Sequence, residues 1–289
     1  MGIDVKAALE AAPVVRDVSW TERDILLYHL GLGAGRNNVD PAELGWAYEK
    51  NLRVLPTFAM VAGQGISAGA ADPPRMELPG IDIDLRKILH SGQSLTLHAP
   101  IPVSGSARLT SRVTEIWDKQ KAAVIVLEQS ASDEDRNPLW TSAMQIWARG
   151  EGGFGGAAGT ESSVAVPERE PDKVLVSRTT ADQALLYRLN GDMNPLHADP
   201  EFARAVGFEQ PILHGLASYG IVCKAVVDGL LDGDPARVRH YSVRFAGSLY
   251  PGETLETAVW QAQNQLTLRV SCPERDGAPI LTHATMEIR

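Results

Sequence analysis

Two stretches of the chain read almost alike, Q-A-L-L-Y-R-L-N-G at Gln183–Gly191 and D-I-L-L-Y-H-L-G at Asp24–Gly31. A second pair follows them, V-L-P-T-F-A from Val54 and I-L-H-G-L-A from Ile212. In each half the helix-like stretches give way to alternating apolar and polar segments, which is typical of strands with one buried face. The sequence therefore predicts two diverged copies of one α+β unit, in which an antiparallel sheet covers a long helix.

The predicted strands have the same order in both copies. They are Ser106–Trp117, Ala122–Ser130 and Leu139–Ala148 in the first copy, then His240–Ala246, Thr254–Gln261, Gln265–Cys272 and Ile280–Ile288 in the second. The segment D-E-D-R-N-P at Asp133–Pro138 has the composition of a hairpin turn. The long apolar segment Ile212–Leu231 predicts the central helix of the second copy.

Residues 149–173 divide the chain near its middle. The segment is rich in Gly, then in Ser, Pro and charge, and it lacks apolar periodicity, so we interpret it as a linker. It separates an N-terminal unit, residues 1–148, from a C-terminal unit, residues 174–289. Its glycines spell G-x-G-x-x-G at Gly150, Gly152 and Gly155, but no helix pattern follows, as a dinucleotide site requires. We reject a dinucleotide site.

Composition excludes several classes of function. The 289 residues are 44% hydrophobic and 22% charged, as in soluble globular proteins. The net charge of −9, without a basic cluster interleaved with aromatics, makes nucleic acid an unsuitable partner. No apolar run approaches the ~18 residues of a membrane span, and no signal peptide is recognisable. The two cysteines have no metal-type spacing. We expect a cytoplasmic protein without a metal or a cofactor.

The residue pattern richest in chemistry is Y-R-L-N-G-D-M-N-P-L-H at Tyr187–His197. Asp192 and His197 stand five positions apart, which is the wrong spacing for one helix face, and Pro195 disfavours helical geometry at the residue before it. A shaped loop of this kind can hold one water between a carboxylate and an imidazole. Taken alone, the same residues are more often an ordinary turn.

A second pattern favours a site. The motif P-I-L-H-G-L, Pro211–Leu216, opens the long apolar segment and places a glycine near its start. The N-terminus of a helix favours developing negative charge, and the bare amide of Gly215 is available there as a donor. Asp192, His197 and the Gly215 amide together supply the acid/base pair and the oxyanion donor needed for chemistry beside a carbonyl.

These motifs carry a resemblance to a known family. The loop G-D-M-N-P-L-H followed by I-L-H-G-L resembles the signature of the R-specific (type 2) enoyl-CoA hydratases of the MaoC-like group, which have a hotdog fold. The resemblance extends over nearly the whole chain, through V-L-P-T-F, R-G-E-G-G-F-G-G from Arg149 and Y-P-G-E-T-L from Tyr250. It is strongest toward actinobacterial hydratases with two hotdog units that act in sterol side-chain breakdown. It therefore implies a double hotdog.

The resemblance also implies a reaction. A single water would add to a trans-2-enoyl-CoA in a syn manner and give a (3R)-3-hydroxyacyl-CoA in β-oxidation. Asp192 and His197 would hold the water, with His197 the better candidate to take its proton and Asp192 to support proton delivery at C2. The Gly215 amide would stabilise the thioester oxygen. The substrate is carried as a CoA thioester, so no cofactor is expected.

The first copy lacks this chemistry. After Leu30 it runs G-L-G-A-G-R-N-N-V-D, and Pro56 and Thr57 stand where the second copy has His214 and Gly215. One explanation for the loss is drift in a scaffold that only has to pack. Alternatively, the small residues A-G-Q-G-I-S-A-G-A-A, Ala62–Ala71, open a tunnel for a long or bulky acyl group, such as a sterol side chain. We favour the tunnel, which the resemblance also implies.

Other residues near the motif have ordinary explanations. Asn194 either closes its own turn or positions the water. Asp199 and Pro200 have the N-cap and N1 chemistry of a short helix that Gly207 ends. His214 is either a second acid/base group or a buried histidine with a satisfied ring. We further interpret three residues as packing residues: Tyr187, Leu189 and Cys223.

Three alternative functions and the partners stay open at this stage. The alternatives are a dehydratase acting on 3-hydroxyacyl thioesters in lipid synthesis, a hotdog thioesterase, and a non-catalytic acyl-CoA binding protein. The CoA-binding residues are unknown, and the basic side chains available for phosphates are Arg178, Lys224, Arg237, Arg239 and Arg244. The resemblance suggests that two chains associate, so we predict a homodimer.

Overall fold

The computed structural model describes residues 2–37, 39–64, 75–160 and 163–289. The α-helices are α1 Val5–Glu10, α2 Glu22–Gly31, α3 Pro41–Ala47, α4 Gln183–Tyr187, α5 Pro200–Ala205 and α6 Gly215–Leu230. The strands are β1 Val14–Trp20, β2 Arg75–Leu78, β3 Ile81–Asp84, β4 Ile88–Leu97, β5 Gly105–Asp118, β6 Ala122–Ser132, β7 Pro138–Arg149, β8 Lys173–Arg178, β9 Val238–Phe245, β10 Thr254–Ala262, β11 Gln265–Cys272 and β12 Ala278–Ile288. No described helix is long and apolar enough to cross a membrane.

Ten of the strands form one antiparallel sheet. Its order is β1-β5-β6-β7-β4-β9-β12-β11-β10-β8, with β2 and β3 forming a separate hairpin. The order is symmetric about the central pair, β4 and β9. Outward from β4 come β7, β6 and β5, and outward from β9 come β12, β11 and β10. The two copies therefore share a continuous sheet, and Ser94 pairs with Ser242 at its centre.

The long helix of the second copy packs against this sheet. Helix α6 is apolar around most of its circumference, and nine of its sixteen residues are buried. Tyr219 from this helix stacks on Tyr241 of β9 with ring centroids 4.2 Å apart, and its hydroxyl donates to the Tyr241 carbonyl. A helix that is apolar nearly all round belongs inside a core. Helix α6 is therefore the centre of the C-terminal half.

The predicted helix and the observed helix differ at the N-terminal end. The apolar segment begins at Ile212, but the helix begins at Gly215. Leu213 is extended instead, and its N–H donates to the carbonyl of Leu249. His214 is the N-cap residue, with ψ 136°. The bend at this residue brings the first helical N–H groups to the loop that carries Asp192.

The first half differs from a simple copy of the second. All seven predicted strands are present, as is the turn between β6 and β7, while β1, β4, β8 and the β2–β3 hairpin were not predicted. Where α6 lies in the second half, the first half has a 3-10 helix, Pro56–Met60. Residues 65–74 lie outside the described residues, so the long helix expected in the first half stays a prediction.

The glycine-rich segment after β7 wraps around one buried carboxylate. Asp118, at the end of β5, is only 3% exposed and accepts backbone N–H groups of Gln120, Gly153 and Gly155. These bonds, first that from Gly153, lower the pKa of Asp118. The described residues between Gly150 and Asp172 form neither helix nor strand, as expected for a linker. The division into two units with separate roles remains a prediction.

Candidate active site

The loop between α4 and α5 is built from short turns. Helix α4 continues into a 3-10 turn, Arg188–Asn190, and Gly191 follows with φ 117°, a left-handed conformation that favours glycine. A second 3-10 turn, Pro195–His197, is capped by Asn194, whose Oδ1 accepts the N–H of Leu196 at 3.0 Å. Asn194 therefore closes its own turn. Its role in positioning a water stays a prediction.

Three side chains from two segments meet at this loop. A carboxylate oxygen of Asp192 and one ring nitrogen each of His197 and His214 lie within 4.8 Å of one another. Asp192 is exposed, whereas His197 and His214 are 8% and 1% exposed. The two residues predicted to hold the water, Asp192 and His197, are thus brought together, and His214 joins them. One face of the cluster is open to solvent and the other is buried.

The backbone fixes the proton on the His197 ring. Nδ1 lies 2.8 Å from the carbonyl oxygen of Ile212, so this nitrogen carries the hydrogen and donates it. Nε2 is then an unprotonated acceptor when the ring is neutral. Burial lowers the pKa of His197, and the nearby Asp192 carboxylate opposes this effect. At neutral pH the geometry leaves a neutral imidazole prepared to accept a proton.

His214 contacts the loop through a hydrogen bond to Asp192 and a ring contact with His197. Its Nε2 lies 3.2 Å from the backbone oxygen of Asp192, and its ring stacks on His197 with centroids 3.7 Å apart and 25° between the planes. Nδ1 is buried and has no hydrogen-bond partner among the described residues. Burial, assisted by His197, lowers the pKa of His214 to about 3, so the ring is neutral and Nε2 donates. A buried histidine with both ring nitrogens hydrogen-bonded was one of the two interpretations of His214, but only Nε2 has a partner in the residues that the structure describes.

Gly215 begins α6 beside this cluster. The first four N–H groups of a helix have no partner within it, and Gly215 carries the first of them. A Cβ at this position would lie 3.0 Å from Cε1 of Phe245. Glycine therefore allows the aromatic ring to approach the helix terminus. Gly215 thus begins helix α6, and the role of its amide as an oxyanion donor stays a prediction.

The three clustered residues also resemble a set of metal ligands in spacing. A metal ion binds imidazole through a nitrogen lone pair, near the plane of the ring. The rings of His197 and His214 are stacked, so an ion in the plane of one would lie outside the plane of the other. This arrangement fits hydrogen bonding to a water better than coordination of a metal. The absence of a metal stays an expectation.

Other predicted residues near the loop have structural contacts. Asp199 caps α5 by accepting the N–H groups of Glu201 and Phe202, as predicted. Tyr187 is 1% exposed, with its ring 4.9 Å from that of His214, and its hydroxyl meets no hydrogen-bond partner in the described part of the chain. Cys223 is fully buried in the core, where burial raises the pKa of its thiol to about 12. Capping accounts for Asp199, and packing accounts for Tyr187 and Cys223.

The basic residues suggested for CoA differ in their surroundings. Lys224 has a side chain only 12% exposed and bonds to Glu43 and Asp228, so its charge is already compensated. Arg237 pairs with Asp232, and Arg239 with Glu287. The two buried contacts disfavour Lys224 as a phosphate ligand. The pairs of Arg237 and Arg239 are largely exposed and therefore weak, so a phosphate could displace them. These two arginines, with Arg178 and Arg244, stay candidates.

Sequence reasoning missed two aromatic residues at the site. The ring centroids of His90 on β4 and Phe245 on β9 are 4.6 Å apart. Phe245 in turn lies against Gly215. No local signal could reveal them, because the contact depends on the pairing of β4 with β9 across the two halves. The predicted tunnel at Ala62–Ala71 lies largely outside the described residues.

Family comparisons cover both halves. Residues 18–150 match the family model of the MFE-2 hydratase 2 N-terminal domain. Residues 162–275 match the model of the MaoC like domain, and this range contains Asp192, His197 and Gly215. The candidate site therefore lies in the half that matches the MaoC like domain.

Individual relatives extend over the whole chain. The enoyl-CoA hydratase ChsH3 of Mycobacterium tuberculosis is 50% identical over 98% of this chain and 98% of its own. The 3-hydroxyacyl-thioester dehydratase Y of the same organism is 36% identical over 90% of this chain and 88% of its own.

Solved structures agree with the architecture. The MaoC-like dehydratase of Phytophthora capsici has a TM-score of 0.88 at 29% identity, covering 99% of this chain and 98% of its own. A Mycobacterium tuberculosis protein described as having a double hotdog fold has a TM-score of 0.55 at 11% identity, covering 96% and 95%. The predicted α+β double hotdog is confirmed.

Proposed function

Because the chain belongs to the MaoC-like hydratase and dehydratase family, we propose that it adds water reversibly to trans-2-enoyl-CoA thioesters and forms (3R)-3-hydroxyacyl-CoA. The observation that carries this proposal is the meeting of Asp192 and His197 beside the free amide of Gly215. A general base and an oxyanion donor on one side of a thioester are the groups that conjugate addition of water requires.

In this mechanism His197 accepts the proton of the water. Its Nε2 is unprotonated because Nδ1 donates to the Ile212 carbonyl. As the water oxygen bonds to C3, the C2–C3 π electrons move toward the thioester and its oxygen gains negative charge. The Gly215 N–H donates to that oxygen, and the helix terminus favours the charge.

The same proton then completes the addition. The imidazolium of His197 gives it to C2 of the enolate, on the face from which the water came, so the net addition is syn. Asp192 accepts a hydrogen bond from the other O–H of the water, which remains as the product hydroxyl, and it stabilises the imidazolium, consistent with its effect on the pKa of His197. His214 positions Asp192 through the hydrogen bond to its backbone oxygen.

We propose β-oxidation as the setting and a long or bulky acyl group, such as a sterol side chain, as the substrate. The name of the 50% identical relative supports a hydratase. The absence of the D-x-N-P-x-H loop from the first half supports a role of that half in holding the acyl group. The predictions of a homodimer and a cytoplasmic location rest on the sequence alone.

A dehydratase of 3-hydroxyacyl thioesters is the second candidate, since a 36% identical relative carries that name. It would use the same residues in reverse. Initial rates with CoA and carrier-protein thioesters of the same acyl group separate the two functions. Preference for CoA supports the hydratase of β-oxidation, and preference for the carrier protein supports the dehydratase.

The remaining alternatives make different predictions in one assay. A thioesterase would release free CoA, which a thiol reagent detects, and a binding protein would turn over nothing. The proposed hydratase removes the ultraviolet absorbance of the enoyl thioester without releasing thiol. Release of thiol at the rate of absorbance loss would contradict the proposal.

A further inference from the structure

The central strand pair brings the non-catalytic half to the catalytic site. Gly92 of β4 pairs with Arg244 of β9, so the start of β4 lies beside the end of β9. His90 and Phe245 extend from these two ends and contact each other, with ring centroids 4.6 Å apart and 58° between the planes. The contact joins residues from different halves of the chain.

Phe245 is in contact with the proposed oxyanion donor. Its Cε1 and Cδ1 lie 3.0 and 3.1 Å from the place where a Cβ of Gly215 would be. The ring is partly buried and packs against the main core. It therefore covers one side of the first residue of α6 with apolar surface. A donor shielded from water stabilises a developing charge more strongly than an exposed one.

His90 is held in place by its own strand. Its Nε2–H donates to the carbonyl of Gly92 at 3.0 Å, which fixes the ring against Phe245. Burial lowers the pKa of His90 to about 4, and Asp192 is near enough to oppose this effect. The ring is therefore neutral at physiological pH, close to the catalytic carboxylate, and able to pack as an aromatic side chain.

The internal repeat offers a comparison within the molecule. Ser94 of β4 and Ser242 of β9 are paired and correspond to each other in the two halves. Phe245 lies three residues after Ser242, so its counterpart is Leu97, three residues after Ser94. His90 lies four residues before Ser94, so its counterpart is Val238, and the counterpart of the aromatic pair is therefore aliphatic. The aromatic pair occurs on the side that has Asp192 and His197, and not at its counterpart.

From these contacts we infer that His90 and Phe245 form an aromatic wall, supplied jointly by the two halves, which closes the oxyanion side of the site to water. Phe245 is the residue that faces the thioester, and His90 is a positioning residue that acts through Phe245. The inference deepens the proposed hydratase function and rests on it. The first half therefore contributes to the chemical step as well as to the scaffold.

The test compares kcat and KM of enoyl-CoA hydration for His90→Ala, Phe245→Ala and the double variant. Loosening the wall misplaces the carbonyl, so each single variant is expected to lose about tenfold or more in kcat while KM changes less than about threefold. If His90 acts through Phe245, the double variant is no slower than Phe245→Ala. Effects that multiply in the double variant would overturn this coupling.

Two further variants separate the wall from general packing. His90→Phe keeps an aromatic ring but removes the hydrogen bond to Gly92, so it should lose clearly less kcat than His90→Ala. A loss equal to that of His90→Ala would overturn the inference. Leu97→Ala, at the counterpart of Phe245, should lower thermal stability but leave kcat unchanged. A kcat loss in Leu97→Ala equal to that in Phe245→Ala would also overturn it.

The wild-type rate distinguishes failure of this inference from failure of the proposed function. If the wild-type protein hydrates no enoyl-CoA, the hydratase function fails, and the inference fails with it. If the wild type is active and folded His90→Ala and Phe245→Ala match its kcat, only the aromatic wall is contradicted.

Discussion

The ring of His214 stacks on that of His197 with centroids 3.7 Å apart, while its Nε2–H donates to the backbone oxygen of Asp192. A single buried side chain thus contacts both residues of the proposed acid/base pair. It belongs to the N-cap of α6 and so connects that pair with the helix that supplies the Gly215 amide. The geometry of the three groups depends on this residue.

His214→Phe should keep the stacked ring and remove the hydrogen bond to Asp192. One hydrogen bond contributes about 0.5–1.5 kcal/mol, so we expect kcat to fall roughly threefold to tenfold. Steady-state hydration kinetics on the folded variant measure the effect. His98→Phe is the control, because His98 is exposed and contacts Thr141 of the first half. An unchanged kcat in His214→Phe would contradict the role of His214 in positioning Asp192.

Two neighbouring aspartates should respond in opposite ways. Asp199→Ala removes the cap of α5 and should lower the free energy of unfolding by about 1 kcal/mol with little change in kcat. Asp192→Asn should leave stability nearly unchanged and lower kcat by about 10²–10⁴. Urea unfolding and hydration kinetics on both variants check the pair. A large loss of activity in Asp199→Ala would show that Asp199 has more than a capping role.

Gly215→Ala tests the space at the helix terminus. The added methyl would meet Phe245 at 3.0 Å, so the ring or the helix must shift by a few tenths of an ångström. We expect kcat to fall about tenfold or more, although the backbone N–H remains. Gly229→Ala is the matched control, since its methyl would meet Leu175 at the far end of the same helix. Equal kcat values for the two variants would contradict the assigned position of the donor.

Acid should destabilise the protein through its buried histidines. Burial lowers the pKa of both His29 and His214 to about 3, below the value of about 6.5 in an unfolded chain. As the pH falls below about 6.5, the unfolded chain therefore binds protons that the folded chain does not, and stability is lost. Each histidine contributes up to about 1.4 kcal/mol per pH unit until the pH nears its folded pKa.

Urea unfolding between about pH 7.5 and 5 measures this loss, above the range in which carboxylates titrate. The His214→Phe variant should show a slope smaller by about one proton. A free energy of unfolding that does not change across this range would contradict the burial of neutral histidines.

The sequence predicted those parts of the fold that depend on local pattern. Strand β11 alternates between buried and more exposed residues, as a strand with one buried face should. Strand β8 was not predicted, because it begins at the last residue of the proposed linker and the residues that follow were assigned no element. The role of Asp118 could not be predicted, because its partners Gly153 and Gly155 are some 35 residues away.

The candidate site was predictable only where its residues are close in sequence. Asp192, Asn194 and His197 lie within one loop, and Gly215 lies near the start of a recognisable apolar segment. The protonation of His197 depends on the Ile212 carbonyl, which the sequence does not place. His90 was assigned no role, since it reaches the site only through the pairing of β4 with β9. Contacts between the halves were beyond local reasoning.

Hydration by Asp192 and His197 can be measured by following the loss of enoyl-thioester absorbance, with chiral analysis of the product, for the wild type, Asp192→Asn and His197→Ala. The substrates run from crotonyl-CoA to long-chain and sterol enoyl-CoAs. We expect a (3R)-3-hydroxyacyl-CoA from the wild type, a higher kcat/KM for long or bulky acyl groups, and a fall of about 10²–10⁴ in both variants. No turnover of any substrate by the wild type, or undiminished turnover by both variants, would contradict hydration by these two residues.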